Sequence, residues 1–187
     1  MVKERPLTQT EMTKVLRQAE RESLRDYCLL TIASQHAIRS SELSGLCVRD
    51  VNLKDNEIHI RRLKGSVSQR EQLTAFERPV IEKWLAQKPV NDLLFPSSRG
   101  GRICRTHIYR IFRHYAELAM IPDSSRSSHA FRHHIGQELA LSGIDIQTLK
   151  RIMGHKNISS TERYFEIPQS RADEIKEKVL ARRLKAA

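Results

Sequence analysis

Residues 128–165 decide the fold, and they read SHAFRHHIGQELALSGIDIQTLKRIMGHKNISSTERYF. The apolar spacing predicts one helix from Ser128 to about Leu141. It predicts a second helix that Asp145 caps and that stops at Gly154, a residue suited to ending a helix. The segment therefore predicts two helices followed by a short stretch that carries a tyrosine.

Helical spacing continues on both sides of this segment. Thr8 and Glu11 form a capping-box pair ahead of an apolar stripe near the start of the chain. Ser159 and Glu162 are predicted to form a second capping pair, around the segment that carries Tyr164.

One stretch departs from the helical period. Ile58 and Ile60 alternate with polar residues, Lys64 with its following glycine interrupts the pattern, and a further strand follows. This predicts an antiparallel sheet with a basic hairpin tip. The predicted fold class is mainly α with a small three-stranded antiparallel sheet. One domain is expected over residues 1–187, with a charged C-terminal helix over about 170–187.

The composition favours a nucleic-acid partner. Lys and Arg number 33 against 22 Asp and Glu, a formal net charge of +11. Such a surplus in a folded domain favours a polyanion, with a merely basic soluble protein as the alternative. The apolar runs are far shorter than the roughly 20 residues of a membrane-spanning helix, and the three cysteines lack a CxxC pair. A cytoplasmic protein with reduced cysteines and no membrane partner is expected.

Arginine, histidine and tyrosine residues stand at the predicted helix ends and turns. Arg39 follows an apolar helix, and His129 and Arg132 lie three residues apart at the start of another. His155 follows a helix-ending glycine, and Tyr164 comes nine residues later. Each residue alone is more often a solvated or structural side chain than a catalytic group. Their combination is what indicates chemistry.

Four motifs carry a resemblance to a known family across essentially the whole chain. Residues 37–43, Ala-Ile-Arg-Ser-Ser-Glu-Leu, resemble the first arginine box of the tyrosine site-specific recombinases, the phage integrase family. Residues 128–133, Ser-His-Ala-Phe-Arg-His, resemble the second box. Residues 153–155, Met-Gly-His, followed by Tyr164, are similar to the third, and Lys64 stands where the family has a hairpin lysine. Four weak motifs in this order and spacing are together highly specific.

The resemblance implies that Tyr164 attacks a DNA phosphodiester and forms a 3′-phosphotyrosyl link. Because that link conserves the energy of the broken bond, neither a cofactor nor a metal ion is implied. A tyrosine hydroxyl has a reference pKa of about 10, and neighbouring cations are expected to ease its ionisation. Lys64 is the candidate general acid for the leaving oxygen, although Arg61, Arg62 and Arg70 nearby leave phosphate contact as the alternative.

Further side chains would neutralise the charge that develops on the non-bridging oxygens. Arg39 and Arg132 are expected to bind these oxygens as planar forks. His129 and His155 are expected to donate further hydrogen bonds, and one of them to help take the tyrosine proton. Glu42 is expected to be a buried partner of Arg39 or of the local backbone.

The chain also departs from the family pattern. His36 and Ala37 stand where the family commonly has Thr-Gly, which leaves the shape of that turn open, and Phe165 follows the tyrosine where a small or polar residue or a histidine is frequent. The N-terminal core-binding domain is expected to be absent, so the chain is either an excised catalytic domain or a naturally short member. Residues 25–29 resemble the fimbrial phase-variation inverting recombinases, a group of short members.

The predicted function is site-specific recombination that integrates, excises or inverts DNA. A type IB-like topoisomerase and a non-catalytic DNA-binding regulator on the same fold are the alternatives, and the complete set of site residues argues against the regulator. The resemblance implies double-stranded DNA, accessory DNA-bending proteins and action at the nucleoid. A free monomer is expected to become a homotetramer on synapsed DNA through the C-terminal helix, with packing of that helix on its own domain as the alternative. His133 and His134 are expected to be structural, with His133 packed behind the site.

Overall fold

A computed structural model describes residues 5–62, 68–165 and 176–177. Within them the α-helices, α1 to α8 in chain order, are Gln9–Glu22, Leu24–His36, Ser40–Leu43, Glu77–Gln87, Arg105–Leu118, Ser128–Leu141, Ile146–Met153 and Ser159–Glu162. The strands β1 to β3 are Val51–Asn52, Glu57–Ile60 and Gln69–Gln72, and two short 3-10 helices span Val48–Asp50 and Asp123–Ser125. This architecture confirms the predicted fold class. Among the described helices, none combines the length and the apolar character that crossing a lipid bilayer requires.

Two predicted elements lie outside the described residues. They are the hairpin tip with Lys64, and the charged helix from Ser170 onward apart from residues 176–177.

Helix α2 is central to the helical part of the fold, because it packs against α1, α4 and α6. Its apolar residues point in several directions, and Cys28, Leu29, Leu30 and Ile32 are fully buried, as expected of a helix with several neighbours. Helix α1 instead buries a single stripe, and the capping box predicted at Thr8 is confirmed. Together these helices form the main hydrophobic core.

The sheet is antiparallel, in the order β1-β2-β3. Val51 pairs with Ile58, and within the β2–β3 pair Ile58 lies opposite Glu71 and Ile60 opposite Gln69. Ile58 and Ile60 are fully buried, which confirms the alternation predicted for β2. Strand β3 begins at Gln69, whereas the sequence pattern predicts that a strand resumes only at Gln72-Leu73-Thr74.

Helix ends place the functional residues, and most follow the sequence signals. Asp145 accepts hydrogen bonds from the first turn of α7, and Gly154 ends that helix in the left-handed conformation with φ 59°. Ala37 ends α2 in the same conformation with φ 45°, so the turn before Arg39 has the backbone that glycine favours although alanine occupies it. The capping pair predicted at Ser159 is wrong, because α8 begins at that residue and has no side-chain cap.

A second, smaller core lies where α6 and α7 meet. Its buried members are Ala37, Ile135, Leu149 and Met153. Tyr164 and Phe165 pack against it. The phenylalanine at that position therefore has a packing role beside the tyrosine.

Candidate active site

A basic cavity of about 780 Å³ opens where the first turns of α3, α5 and α6 face the segment after α7. Its charged and histidine lining residues are Arg39, Arg105, His129, His155 and Lys156. The described residues that line it include no Asp or Glu. Helix N-termini present unpaired N–H groups and a partial positive charge, so the first turns of α5 and α6 add to the attraction for an anion.

Arg39 lies at the edge of the basic cavity with its side chain 32% exposed. Its Nη1 donates to Glu42 Oε1 at 2.8 Å, and its backbone N–H donates to Glu42 Oε2 at 3.0 Å. Burial favours the neutral form of Glu42, but the backbone N–H of Arg39 and the charge of Arg62 outweigh it and lower the pKa of this carboxyl. Glu42 is a buried, ionised partner of Arg39, which confirms its predicted structural contact.

Arg132 lies on α6 and is 7% exposed. Its Nη1 donates to the carbonyl of Ala37, and its Nη2 donates to the carbonyl of Met153 at 2.5 Å. Burial, together with the nearby charges of Arg39 and Arg62, lowers the pKa of Arg132 to about 10. The guanidinium is therefore still protonated at neutral pH, and these two bonds use two of its five N–H donors.

Tyr164 lies between two histidines. Its hydroxyl is 2.9 Å from Nδ1 of His133, and its ring stacks on that of His155 with centroids 6.4 Å apart and planes 12° apart. Burial raises the pKa of Tyr164 and exceeds the opposing effect of the nearby arginines. The arginines ease ionisation as predicted, but in the DNA-free chain the loss of solvation of the hydroxyl outweighs their effect.

His155 follows the glycine that ends α7 and is half-buried. Its Nδ1 lies 2.9 Å from Oγ1 of the buried Thr161, which fixes the ring. Burial, followed by the positive charges of Arg132 and Arg39, lowers the pKa of His155 to about 4. The imidazole is neutral at pH 7, so it has one donor and one acceptor nitrogen.

The structure brings most of the predicted site residues together. Arg39, His129 and His155 line the basic cavity. Arg132 is linked to the end of α7 beside that cavity, and Tyr164 stacks on one of the lining histidines. The sixth predicted residue, the lysine of the hairpin, lies outside the described residues.

Two of the neighbouring arginines, suggested as phosphate contacts, are engaged within the protein. Arg61 donates to Asp50 Oδ1 at 2.5 Å, and Arg62 is buried with no exposed side-chain surface. The phosphate-contact interpretation is wrong for Arg62, since DNA cannot reach a buried guanidinium.

Sequence reasoning missed two residues of α6 that contact the tyrosine. His133 was expected only to pack behind the site, but its Nδ1 lies within hydrogen-bonding distance of the Tyr164 hydroxyl. A Cβ at Gly136 would lie 2.6 Å from Cε1 of the tyrosine, so glycine allows the ring to lie directly on the helix. The three-residue spacing of His133 and Gly136 puts them on one helix face, but nothing in the sequence says that the tyrosine covers that face.

Comparison with known proteins gives the same assignment from sequence. A family model described as the phage integrase family matches residues 5–171. The type 1 fimbriae regulatory protein FimE of Escherichia coli K12 is 37% identical over 146 residues, which cover 75% of this chain and 73% of that protein. This confirms the resemblance to the fimbrial group. Tyrosine recombinase XerD of Yersinia pestis is 30% identical over 157 residues, covering 79% of this chain and 52% of XerD.

Solved structures share the fold. XerA recombinase superposes with a TM-score of 0.79 at 22% identity, covering 95% of this chain and 64% of that one. XerH site-specific recombinase bound to its difH substrate gives a TM-score of 0.76 at 22% identity, covering 92% of this chain and 53% of that one. The chain thus spans about half the length of XerD and XerH. With a matching family model, a FimE relative and this fold, the chain belongs to the phage integrase family, the tyrosine recombinases.

Proposed function

We propose that this chain, a tyrosine recombinase, cleaves and rejoins double-stranded DNA at specific sites with Tyr164 as the nucleophile. The observation that supports this most is the position of Tyr164, between two histidines and beside a cavity lined by cations and by no described acid. A phosphodiester is the ligand that such a cavity favours. The resemblance to the fimbrial recombinases favours inversion among the possible outcomes of strand exchange.

The charge on the phosphate is neutralised by Arg39 and Arg132. In the displacement, the tyrosine oxygen bonds to phosphorus and the bond to the 5′ oxygen breaks. Two fixed guanidinium forks on the non-bridging oxygens stabilise this transition state without having to reorganise. His129 and the neutral His155, which line the cavity, donate further hydrogen bonds in this scheme.

Proton transfer needs a partner for the tyrosine, because burial raises the pKa of its hydroxyl. His133 lies 2.9 Å from that hydroxyl, so its imidazole can accept the proton as the bond to phosphorus forms, whereas His155 stacks on the tyrosine ring. Lys64 supplies a proton to the leaving 5′ oxygen. Rejoining is the reverse reaction, in which the 5′ hydroxyl of a partner strand attacks the phosphotyrosine.

Strand exchange in this proposal also requires that several copies assemble on DNA. A free monomer binds one recombination site in the cytoplasm, at the nucleoid, and four copies form a tetramer when sites are brought together with the help of DNA-bending proteins. The C-terminal helix over about 170–187 docks on a neighbouring copy. Truncation after Gln169 should then preserve some covalent adduct but abolish exchange between two sites, and full exchange by the truncated chain would contradict this docking.

The nucleophile is tested with a nicked suicide duplex from which the cleaved strand end diffuses away. The wild-type chain and Tyr27→Phe, a control on α2 away from the cavity, should form a covalent DNA adduct. Tyr164→Phe should form none, with nearly unchanged non-covalent affinity, because it loses only the hydroxyl. Adduct at the wild-type level in Tyr164→Phe would overturn the assignment. A two-site exchange assay separates a recombinase from a topoisomerase, since only the former exchanges flanking DNA.

The proton donor is tested with a substrate in which sulfur replaces the bridging 5′ oxygen. Lys64→Ala should cleave ordinary DNA slowly and recover on this substrate, because a thiolate leaves without a proton. Arg132→Ala should not recover, because its charge is needed on the non-bridging oxygens. Equal recovery of both variants would mean that Lys64 only binds phosphate.

A further inference from the structure

A buried ion-pair cluster contacts Arg39 of the basic cavity through Glu42. It consists of His36, Glu42, Arg62, Glu71 and Glu77. Glu77 and the Arg62 side chain have no exposed surface, and His36 is 3% exposed. His36 contacts two carboxylates: its Nδ1 lies 2.7 Å from Glu71 Oε2, and its Nε2 lies 2.8 Å from Glu77 Oε2.

Arg62 connects the parts of this cluster. Its Nη1 donates to Glu42 Oε2 at 3.1 Å, and its Nη2 donates to Glu71 Oε1 at 3.0 Å. The same Nη2 lies 3.3 Å from the carbonyl of His36 and 2.9 Å from the carbonyl of Ile152. One side chain therefore joins the end of α2, the helix α3, the strand β3 and the end of α7.

Three arginines donate hydrogen bonds to the C-terminal end of α7. Three consecutive carbonyl groups, those of residues 152–154, accept hydrogen bonds from Arg62, Arg132 and Arg39 respectively, at 2.9, 2.5 and 3.5 Å. Carbonyls at a helix C-terminus lack helical partners and carry a partial negative charge, which favours cations there. The same helix end therefore binds all three guanidinium groups.

Arg62 is also linked to the two phosphate arginines by shared partners. Glu42 binds Arg62 through Oε2 and Arg39 through Oε1. The neighbouring carbonyls of His36 and Ala37, at the end of α2, accept from Arg62 and Arg132 respectively. Removing Arg62 would take one of two arginine charges away from the buried Glu42 and would remove the bonds of Arg62 to both helix ends that the phosphate arginines contact.

Arg62 is fitted closely to its place. A Cβ at Gly154 would lie 3.0 Å from its Cδ and Nε, so the glycine that precedes His155 is in contact with the Arg62 stem. Its backbone N–H donates to Ser68 Oγ at 3.2 Å, across the segment 63–67. A shorter or more mobile side chain could not make all of these contacts.

We infer that Arg62 is a positioning residue for catalysis, which sets the geometry of Arg39 and Arg132 on the scissile phosphate although it does not reach the DNA. This inference rests on the proposed role of those two arginines. Substitution of Arg62 should therefore slow the chemical step, and the size of this loss should depend on the negative charge of the scissile phosphate. A residue needed only for folding would not show that dependence.

The test compares single-turnover cleavage at saturating protein on two suicide substrates, one ordinary and one with an uncharged methylphosphonate at the scissile position. Arg62→Lys keeps the charge but loses the planar fork, and Arg78→Lys, in the exposed pair with Glu82 on α4, is the matched control. Arg62→Lys should cleave the ordinary substrate about 10- to 100-fold more slowly, by analogy with partners that orient metal ligands, with DNA affinity little changed. On the methylphosphonate substrate, the cleavage rate of Arg62→Lys should lie closer to that of wild type. The control Arg78→Lys should cleave both substrates at the wild-type rate.

Two results would overturn the inference: wild-type cleavage by folded Arg62→Lys, or an equal defect on both substrates. Arg39→Ala and Arg132→Ala are measured alongside. If Arg39→Ala and Arg132→Ala lose as much cleavage rate on the methylphosphonate as on the ordinary substrate, the role assigned to the phosphate arginines is wrong. If only Arg62→Lys behaves in this way, its positioning role alone is refuted. Should Arg62→Lys not fold, Glu71→Gln removes one partner of Arg62 and is held to the same comparison.

Discussion

Two histidines in this molecule lie in opposite electrostatic surroundings. His36, in the buried ion-pair cluster, loses solvation, but its bonds to Glu71 and Glu77 outweigh that loss and raise its pKa to about 9. His155, at the basic cavity, is also desolvated but faces Arg132 and Arg39, and its pKa falls to about 4. At neutral pH the first is a cation and the second is neutral.

The difference shows how the chain divides its charges. In the cluster, carboxylates compensate the positive groups, so these charges can stay buried. At the cavity the described lining residues include no carboxylate, so the positive potential is left for a phosphate. Glu42, in the cluster, connects the two regions, since it contacts Arg62 and also Arg39 of the cavity lining.

The largest expected effect is on the rate of cleavage at the cavity. Arg132→Ala should lower the single-turnover cleavage rate by about 10³-fold or more, because an arginine on a transferring phosphoryl group is worth about 10³ to 10⁵ in rate. The measurement uses saturating protein on the suicide substrate, well below the melting temperature of the variant. A loss smaller than about tenfold would mean that Arg132 mainly supports the backbone of Ala37 and Met153.

The cluster should instead show its effect in stability. Because the pKa of His36 is raised from 6.5 to about 9, its charged form contributes stability that is fully present below pH 6.5 and is lost as the pH rises through about 9. From about pH 6 to about pH 10, the free energy of unfolding of the wild type should fall by about 3 kcal/mol more than that of His36→Gln. Urea denaturation at both pH values measures this difference, and parallel curves would contradict the ion pairing.

His155 should titrate in the opposite direction. Its ring signals in NMR should report a pKa well below 6.5 in the free chain, because burial and two arginines oppose its charge. Bound DNA should raise that pKa, since a phosphate offsets the arginines. A free-chain pKa at or above 6.5 would mean that the ring is more hydrated than its contacts indicate.

The smallest expected effect is a change in the salt dependence of DNA binding. The logarithm of the binding constant should fall against the logarithm of the salt concentration with a slope of about −0.9 per neutralised phosphate. Arg105→Gln, in the lining of the basic cavity, should make the slope shallower by about 0.9, whereas His36→Gln in the buried cluster should leave it unchanged. If the wild type, Arg105→Gln and His36→Gln all gave the same slope, Arg105 would not be a DNA contact.

Local signals in the sequence predicted much of this structure. Asp145 and Gly154 bound α7 as their capping chemistry requires, and the alternation at Ile58 and Ile60 gave the buried strand. The family motifs gave the residues that gather at the cavity. These features depend on neighbours in the chain or on motif order, which a sequence displays directly.

Features that depend on contacts between distant segments could not be predicted in the same way. Arg62 looks like any hairpin arginine, and only the packing of α7 and α3 around it shows that it is buried. The raised pKa of Tyr164 depends on how deeply the ring packs on α6, and the role of His133 depends on the same contact. Ala37 adopts a left-handed backbone that the sequence alone would assign to glycine.

The covalent link between Tyr164 and DNA is tested by identifying the residue that carries the DNA. The adduct from the suicide duplex is digested with protease and nuclease, and the peptide that carries the remaining nucleotide is sequenced by mass spectrometry. The proposed mechanism predicts a nucleotide joined through its 3′ phosphate to Tyr164. A nucleotide on any other residue, or a link through a 5′ phosphate, would contradict it.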